Sequence, residues 1–498
     1  MNKILIRLLT VGALLAGALP LMYAEAPKHE MRGAWVATVY GIDWPSVQGA
    51  DAQTAERQKA ELTTLMDTLQ TAGLNAVFLQ VRPMADALYR SDKEPWSSYL
   101  TGRRGTPPDA EWDPLAFAVE EAHARGMELH AWVNPLRFAA SSASLPSTPA
   151  DTRAIRNGWI LKSGKAPAVY DPANESAVAH VVDVCRDILR RYDVDGLVFD
   201  DYFYPDRFPR QQGEPADKYG DLRRHYVNRT VAAVHAMVEK TKPWVRFGVA
   251  PAGVAGGNGK ATARYNILPP IVGSDWMYDR IFCDPLACLN EGTVDYVSPQ
   301  LYWATDHATN PYEPLAQWWD RTARHFKRHC YPSHSLTNLA STTAHWREQG
   351  AQIDIDRRSA SPGSVLYSAS SLTGKKAGGL ASWLGNRQYL MPALMPPMDW
   401  KHARNPGKIS DLALDGNILR WKGNDAGRYV VYALPDDLTA EDVAADAPDR
   451  NYLAAYIAGV TYTPEFELPG YLLEGYRYAV APYDRYGNEW AATILQQR

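Results

Sequence analysis

Two adjacent acids, Asp200 and Asp201, end a short apolar run and are followed by three aromatics, Tyr202, Phe203 and Tyr204. The stretch reads Asp195-Gly-Leu-Val-Phe-Asp-Asp-Tyr-Phe-Tyr-Pro205, and Gly196 to Phe199 predicts a buried strand. Paired carboxylates at a strand's end, walled by rings, suit acid chemistry on a sugar. Asp also caps turns. The pair by itself leaves both readings open.

Acids of this kind need a scaffold that holds them, and strand-like and helix-like stretches alternate along the chain. Strands are predicted at Gly33 to Val39, Ala76 to Val81, Glu128 to Val133 and the Asp195 stretch. Four more follow at Arg246 to Ala250, Val294 to Ser298, Cys330 to Leu336 and Ser364 to Ala369. Between them, Ala52 to Ala72 has apolar residues at helical spacing (Leu62, Leu65, Met66, Leu69) and stops at Gly73. Asp113 to Arg125, Asn174 to Tyr192 and Asp217 to Lys240 read as further helices. Eight such units predict an α/β fold with parallel strands closed into a (β/α)8 TIM barrel over residues 27–400. An open doubly wound sheet is the rival, but it is seldom this long.

Barrel chemistry sits at the C-terminal ends of the strands, so the residues there are the candidates. The first strand leads to Tyr40, Asp43 and Trp44. The second leads to Gln80, Arg82 and Asp86, the third to His130, Trp132, Asn134 and Arg137. The fourth brings Asp200, Asp201, Tyr202 and Tyr204, and the sixth Gln300, Tyr302 and Trp303. A barrel without a site has no reason to collect these types in one place, which favours Asp200 and Asp201 as catalytic. Each neighbour also has a plainer reading. Arg82 and Arg137 suit loop-fixing ion pairs, His130 a hydrogen-bonded core position, and Asp43 a turn cap. Trp132, Tyr302 and Trp303 suit packing.

Past Trp400 the pattern changes. Asn405-Pro406-Gly407 reads as a linker, and Ile418 to Trp421, Tyr429 to Ala433 and Tyr476 to Pro482 as short strands. Residues 405–498 predict a small β-sandwich, and Leu419-Arg-Trp421 with Arg477 to Asn488 resemble fibronectin type III strands. Asp436 to Asp449 reads as a loop. The module's expected task is bracing or spacing.

Composition narrows the partners. In 498 residues, 46% are apolar and 22% charged, the balance of a globular chain with a large core. A net charge of −4 offers no basic surface for nucleic acid. Sixteen Trp and 28 Tyr suit stacking on sugars as well as core packing. Residues 1–26 read as a signal peptide: Lys3 and Arg7, the apolar Leu8 to Met22, then Ala24-Glu-Ala26. They predict export to the periplasm or the cell surface and no membrane span in the mature chain, a retained anchor being the alternative. Cys185, Cys283, Cys288 and Cys330 have no zinc-type spacing and read as buried thiols, with a Cys283–Cys288 disulfide as the alternative. No cofactor and no metal site is expected. Gly253 to Lys260 is not a phosphate loop, because Val254 stands where it needs Gly and no Ser or Thr follows Lys260. The zinc-protease His-Glu-x-x-His and the nucleophile elbow Gly-x-Ser-x-Gly are absent from the sequence.

Several stretches resemble the glycosyl-hydrolase-like 10 family of exported bacterial proteins. They are Met31-Arg-Gly-Ala-Trp35, Tyr40-Gly-Ile-Asp-Trp-Pro-Ser46, Phe78-Leu-Gln-Val-Arg-Pro83, Pro95-Trp-Ser97 with Leu100-Thr-Gly102, Gly126 to Arg137, Tyr192 to Pro205, and Val294 to Trp303. The resemblance implies a (β/α)8 barrel, often with a fibronectin-like module, and adds Trp35 to the expected substrate contacts. It also implies a polysaccharide substrate, peptide-stripped peptidoglycan strands among them. Leu136 stands where the family usually has an aromatic, and Pro251-Ala-Gly253 where it usually has Pro-Phe-Gly.

Ordinary glycosidases place two carboxyls roughly 5–9 Å apart across the bond. Consecutive residues at a strand end instead approach from one side, as in substrate-assisted N-acetylhexosaminidases, where the sugar's 2-acetamido oxygen is the nucleophile. By that analogy Asp201 is the general acid/base and Asp200 the acetamide partner, with Tyr302 on the acetamide and Trp303 and Trp132 against sugars. Asp86 as a direct nucleophile is the alternative. Hydrolysis of a non-acetylated polysaccharide and non-catalytic wall binding are the rival functions.

Overall fold

The computed structural model describes residues 27–496 apart from 258, 271–272, 338–342, 361, 374–377, 436–437, 439–450 and 474. The signal-peptide reading and the Asp436 to Asp449 loop therefore lie outside, or almost wholly outside, the described residues. Eight parallel strands form the barrel. They are β1 (Met31–Val36), β2 (Ala76–Arg82), β3 (Glu128–Val133), β4 (Gly196–Asp200), β5 (Arg246–Ala250), β6 (Tyr296–Val297), β7 and β8 (Gly363–Tyr367). Strand β7 is broken at Pro332 into His329–Cys330, which pairs with β6, and Ser333–Ser335, which pairs with β8. Strand β8 in turn pairs with β1, so the ring closes. The missing N–H of proline explains the break.

The helices form where the sequence predicts them. They include α1 (Ala52–Thr71), α2 (Pro114–Ala124), α3 (Glu175–Arg191) and α4 (Tyr219–Thr241). Asp51, Asp113 and Asn174 cap the first three by accepting backbone N–H groups. Leu62, Leu65, Met66 and Leu69 of α1 are buried, as their spacing requires. Among the described residues, no helix is long and apolar enough to cross a membrane.

The barrel interior is filled by large side chains set against glycines. A Cβ on Gly196 would lie 2.2 Å from the His130 ring, and one on Gly248 would lie 2.2 Å from Tyr296. His130 is accordingly the fully buried core residue that its place inside a strand suggested. All four cysteines are buried, and none is joined in a disulfide.

Residues beyond 407 form two antiparallel sheets, as expected of a sandwich. One holds Ser410–Asp415, Ile418–Lys422 and Glu465–Glu467, and the other Ile457–Thr461, Gly427–Leu434, Arg477–Asp484 and Thr493–Ile494. Strand Gly427–Leu434 is buried on both faces. Tyr429, Val431 and Ala433 join the core shared with Leu419 and Trp421. Val430, Tyr432 and Leu434 pack with Leu394, which follows the barrel.

The module meets the barrel at the N-terminal ends of the strands. Arg428 donates to Glu128, the first residue of β3, at 2.5 Å. Arg485 pairs with Asp195, just before β4, at 2.9 Å. Tyr462 donates to Asp195 at 3.1 Å and stacks on His123 with ring centres 3.7 Å apart. The module thus closes the floor of the barrel and leaves the opposite end, the mouth, open.

Candidate active site

Asp200 is the last residue of β4, and Asp201 follows with φ 48, in the left-handed region. Successive side chains in a strand point to opposite faces. The left-handed turn at Asp201 breaks that alternation, and both carboxylates come within reach of one cation, Arg137. Arg137 donates to the Asp201 carboxylate, and its charge also acts on Asp200. It is the first residue of a small antiparallel sheet in the β3–β4 connection (Arg137–Ala139, Ile160–Leu161, Ala168–Tyr170), which anchors it.

Asp200 is held by amides from two other strands. Gln300 Nε2 donates to Oδ1 at 3.0 Å. Asn134 Nδ2 donates to the Asp200 carbonyl oxygen at 3.1 Å and lies 3.4 Å from Oδ2. Gln80 Nε2 donates to Asn134 Oδ1 at 2.7 Å, and Gln80 Oε1 accepts from the backbone N–H of Thr38 and Val39 at 2.9 Å each. A continuous chain of amides therefore runs from the β1 loop across β2 and β3 to the acid. Burial, and next the charge of Asp201, push the Asp200 carboxyl up to about 7.

For four expected substrate contacts the structure assigns a different role, because each is buried and engaged by a neighbour. Arg82 is fully buried, ion-paired with Glu94 at 2.6 Å, and donates to the Asn134 carbonyl at 2.7 Å. It positions Asn134 from below. Trp44 lies in the core, its Nε1 donating to the Gln58 carbonyl at 3.0 Å. The Tyr202 hydroxyl accepts from Cys283 Sγ at 3.2 Å, and Arg223 stands 4.8 Å over the buried Tyr204 ring. Trp35 and Trp132 are also buried, in edge contact at 4.9 Å inside the barrel. The Trp132 indole N–H has no partner there.

Asp43 is tied down: it accepts from Ala37 N at 2.7 Å and from the Ser368 hydroxyl and Ser370 N at 2.8 Å each. Asp86 is buried beside Arg104 at 3.1 Å, its carboxyl raised to about 6 by burial. Both acids are thus bound to other groups of the chain. Tyr302 is 38% exposed and stacks on Tyr367, ring centres 5.6 Å apart. Desolvation and the charge of Asp200 hold the Tyr302 phenol protonated, its pKa well above the ordinary value. Trp303 is partly buried, and its carbonyl accepts from Gln352 at 3.1 Å.

The structure also brings in Tyr367, the last residue of β8, and Tyr99, whose ring meets Tyr40. The end-of-strand rule was enough to find Tyr367. Tyr99 lies on a four-residue helix, Ser98–Thr101, which no sequence periodicity marks. Among the described residues, no cluster of three or more His, Cys, Asp or Glu could hold a metal ion.

The model of the glycosyl hydrolase-like 10 family matches residues 30–344, which carry seven of the eight strands and the acid pair. The chain belongs to that family. It is 32% identical over 440 residues to glycosyl hydrolase YngK of Bacillus subtilis (strain 168), covering 82% of each chain. It is 34% identical over 330 residues to glycosyl hydrolase DigH of Escherichia coli (strain K12), covering 61% of this chain and 72% of that one. Solved structures resemble it only distantly. The catalytic domain of a Paenibacillus polymyxa β-amylase shares 10% identity at a TM-score of 0.48, over 73% of this chain and 98% of that one. The protein is a glycoside hydrolase, and its substrate class is a polysaccharide.

Proposed function

We propose that the enzyme is exported and cleaves an N-acetylated glycan, peptide-stripped peptidoglycan strands in particular, with help from the substrate's own acetamide. The observation that carries this reading is the adjacency of Asp200 and Asp201 beside one arginine, with Asp43 and Asp86 both engaged elsewhere. A pair that approaches from one side lacks the distant nucleophile or base of ordinary glycosidases. An acetamide supplies it. The charged start of the sequence, Lys3 and Arg7, and the apolar run behind it support export.

The raised carboxyl of Asp200 favours it as the acid, the reverse of the roles drawn from analogy. The general acid must hold a proton at working pH, and burial and the charge of Asp201 raise the Asp200 carboxyl to about 7. Asp200 protonates the glycosidic oxygen as the C1–O bond breaks, and the acetamide oxygen bonds to C1 to form an oxazolinium. Asp201, paired with Arg137, accepts the acetamide N–H and stabilises the positive charge that develops. Water then attacks C1, its proton passes to Asp200, and the acetamide is restored.

The test is to incubate the enzyme and its Asp200→Asn and Asp201→Asn variants with intact sacculi, amidase-stripped glycan strands and a panel of neutral polysaccharides. Products are read by mass spectrometry. New reducing ends on stripped strands are expected for the parent alone. Cleavage of neutral polysaccharides instead overturns the acetylated substrate, and no new ends on any substrate leaves only binding. An aryl N-acetylhexosaminide separates the roles: its leaving group needs little protonation, so Asp200→Asn is expected to keep much more activity on it than Asp201→Asn. The reverse order restores Asp201 as the acid.

A further inference from the structure

The loop after β1 carries a tyrosine in a strained conformation that the fold does not bury. Tyr40 has φ 56 and ψ 16, where a bulky side chain is an outlier. It is nevertheless 67% exposed, so burial does not offset the strain. Independent ties impose the conformation. Gln80 Oε1 accepts from Thr38 N and Val39 N, Gly41 N donates to the Thr38 carbonyl at 3.0 Å, and Asp43 binds Ala37 N, Ser368 and Ser370. Strain held in this way by its surroundings is characteristic of ligand-contacting positions.

Behind Tyr40 stands Tyr99, with ring centres 5.4 Å apart at 71°. Near it lies Arg137, on which Tyr40 acts electrostatically and which grips Asp201. An exposed aromatic face, braced by a second ring next to the acid pair, matches the apolar C–H face of a pyranose. Tyr302 and Tyr367, ends of β6 and β8, form a second stacked pair near Asp200. The mouth therefore has one tyrosine pair on its β1–β2 side and another on its β6–β8 side.

We propose that Tyr40, braced by Tyr99, is a sugar-stacking subsite on the β1–β2 side of the mouth, beyond the two sugars that flank the bond to be cut, and that it sets which oligosaccharide lengths the enzyme accepts. The proposal rests on the glycosidase reading of the site and deepens it. The Tyr302–Tyr367 pair receives the sugar whose acetamide reacts, and Tyr40 seats a sugar further along the chain. A ligand too short to reach Tyr40 gains nothing from it.

The experiment is isothermal titration in an Asp200→Asn background with the disaccharide and tetrasaccharide of N-acetylglucosamine and with cellotetraose, combined with thermal melts. Tyr40→Ala is expected to weaken acetylated tetrasaccharide binding at least tenfold and disaccharide binding less than twofold, with Tyr40→Phe restoring most of the loss. Tyr40→Gly is expected to bind as weakly as Tyr40→Ala but to melt at the same or a higher temperature, because glycine adopts the positive φ freely. Unchanged tetrasaccharide binding, equal loss for both lengths, or a lowered melting point in Tyr40→Gly overturns the subsite. Tyr40-dependent binding of cellotetraose as tight as that of the acetylated tetrasaccharide keeps the subsite and overturns the acetylated substrate instead. Binding of neither tetrasaccharide by the Tyr40-bearing parent overturns both.

Discussion

Arg428 of the C-terminal module reaches into the floor of the barrel, and its replacement by Met tests whether the module is part of the barrel's stability. Glu128 is buried with three partners: Arg428 Nη1 at 2.5 Å, Arg246 Nε at 3.4 Å and His130 Nε2 at 3.1 Å. Burial alone would raise its carboxyl, but Arg246 and Arg428 outweigh that and hold it at about 2, against an ordinary 4.5. That difference corresponds to about 3 kcal/mol of folded-state stabilisation at neutral pH. Arg428 also donates to the Asp484 carbonyl at 2.6 Å, a bond the variant loses. Removing one partner of a buried ion network typically costs about 3–5 kcal/mol, and we expect Arg428→Met to fall in that range. Urea unfolding followed by tryptophan fluorescence measures it. A second substitution, Glu128→Gln, is expected to lower stability further, because it leaves the buried Arg246 charge without its carboxylate. The carboxyl is depressed, so the stabilisation is present above its ordinary pKa and is lost as pH falls from about 4 toward 2. The parent is expected to lose more stability over that window than the double variant does. A loss below about 1 kcal/mol for Arg428→Met, the size of a surface pair, would refute the account of the floor.

Two further outcomes follow from the acid pair. In the proposed mechanism Asp200 is the proton donor, its carboxyl raised to about 7 by burial and by the charge of Asp201. Activity on glycan is therefore expected to fall as pH rises through about 7, and Asp201→Asn is expected to move that limb to lower pH by removing the neighbouring negative charge. A limb unmoved in a variant active enough to measure it contradicts the coupling. Asp200 is raised, so the stability it contributes below about pH 4 disappears as pH rises through 7. Asp200→Asn is consequently expected to be more stable than the parent at pH 8, by about 1–3 kcal/mol. A less stable variant by thermal melt means that the hydrogen bonds from Gln300 and Asn134 outweigh the desolvation.

How much of the site was legible depended on the kind of information each residue carries. Asp200, Gln300, Asn134 and Arg137 were found by asking what lies just past a buried apolar run. Strand direction in a barrel converts that sequence position into a place in space. The same rule overreached at Trp44, Tyr202, Tyr204 and Arg82, because being near a strand's end does not say which way a side chain turns. It missed Tyr99, which reaches Tyr40 from a loop of another unit. The break in β7 at Pro332 has a local cause. The pairing of its two halves with different neighbours does not.

The sequence by itself determined the order of strands and helices, the placement of the acid pair at the mouth and the small antiparallel module behind it. Those features follow from local periodicity, turn residues and the spacing of apolar runs, all within reach of a few neighbouring residues. Only the tertiary structure decided that Asp201 turns back toward Arg137, that burial raises the Asp200 carboxyl, and that Arg428 and Arg485 close the floor on Glu128 and Asp195. Desolvation and charge pairing depend on what surrounds a group in three dimensions. Arg428 and Glu128 lie 300 positions apart in the chain, and only folding brings them together.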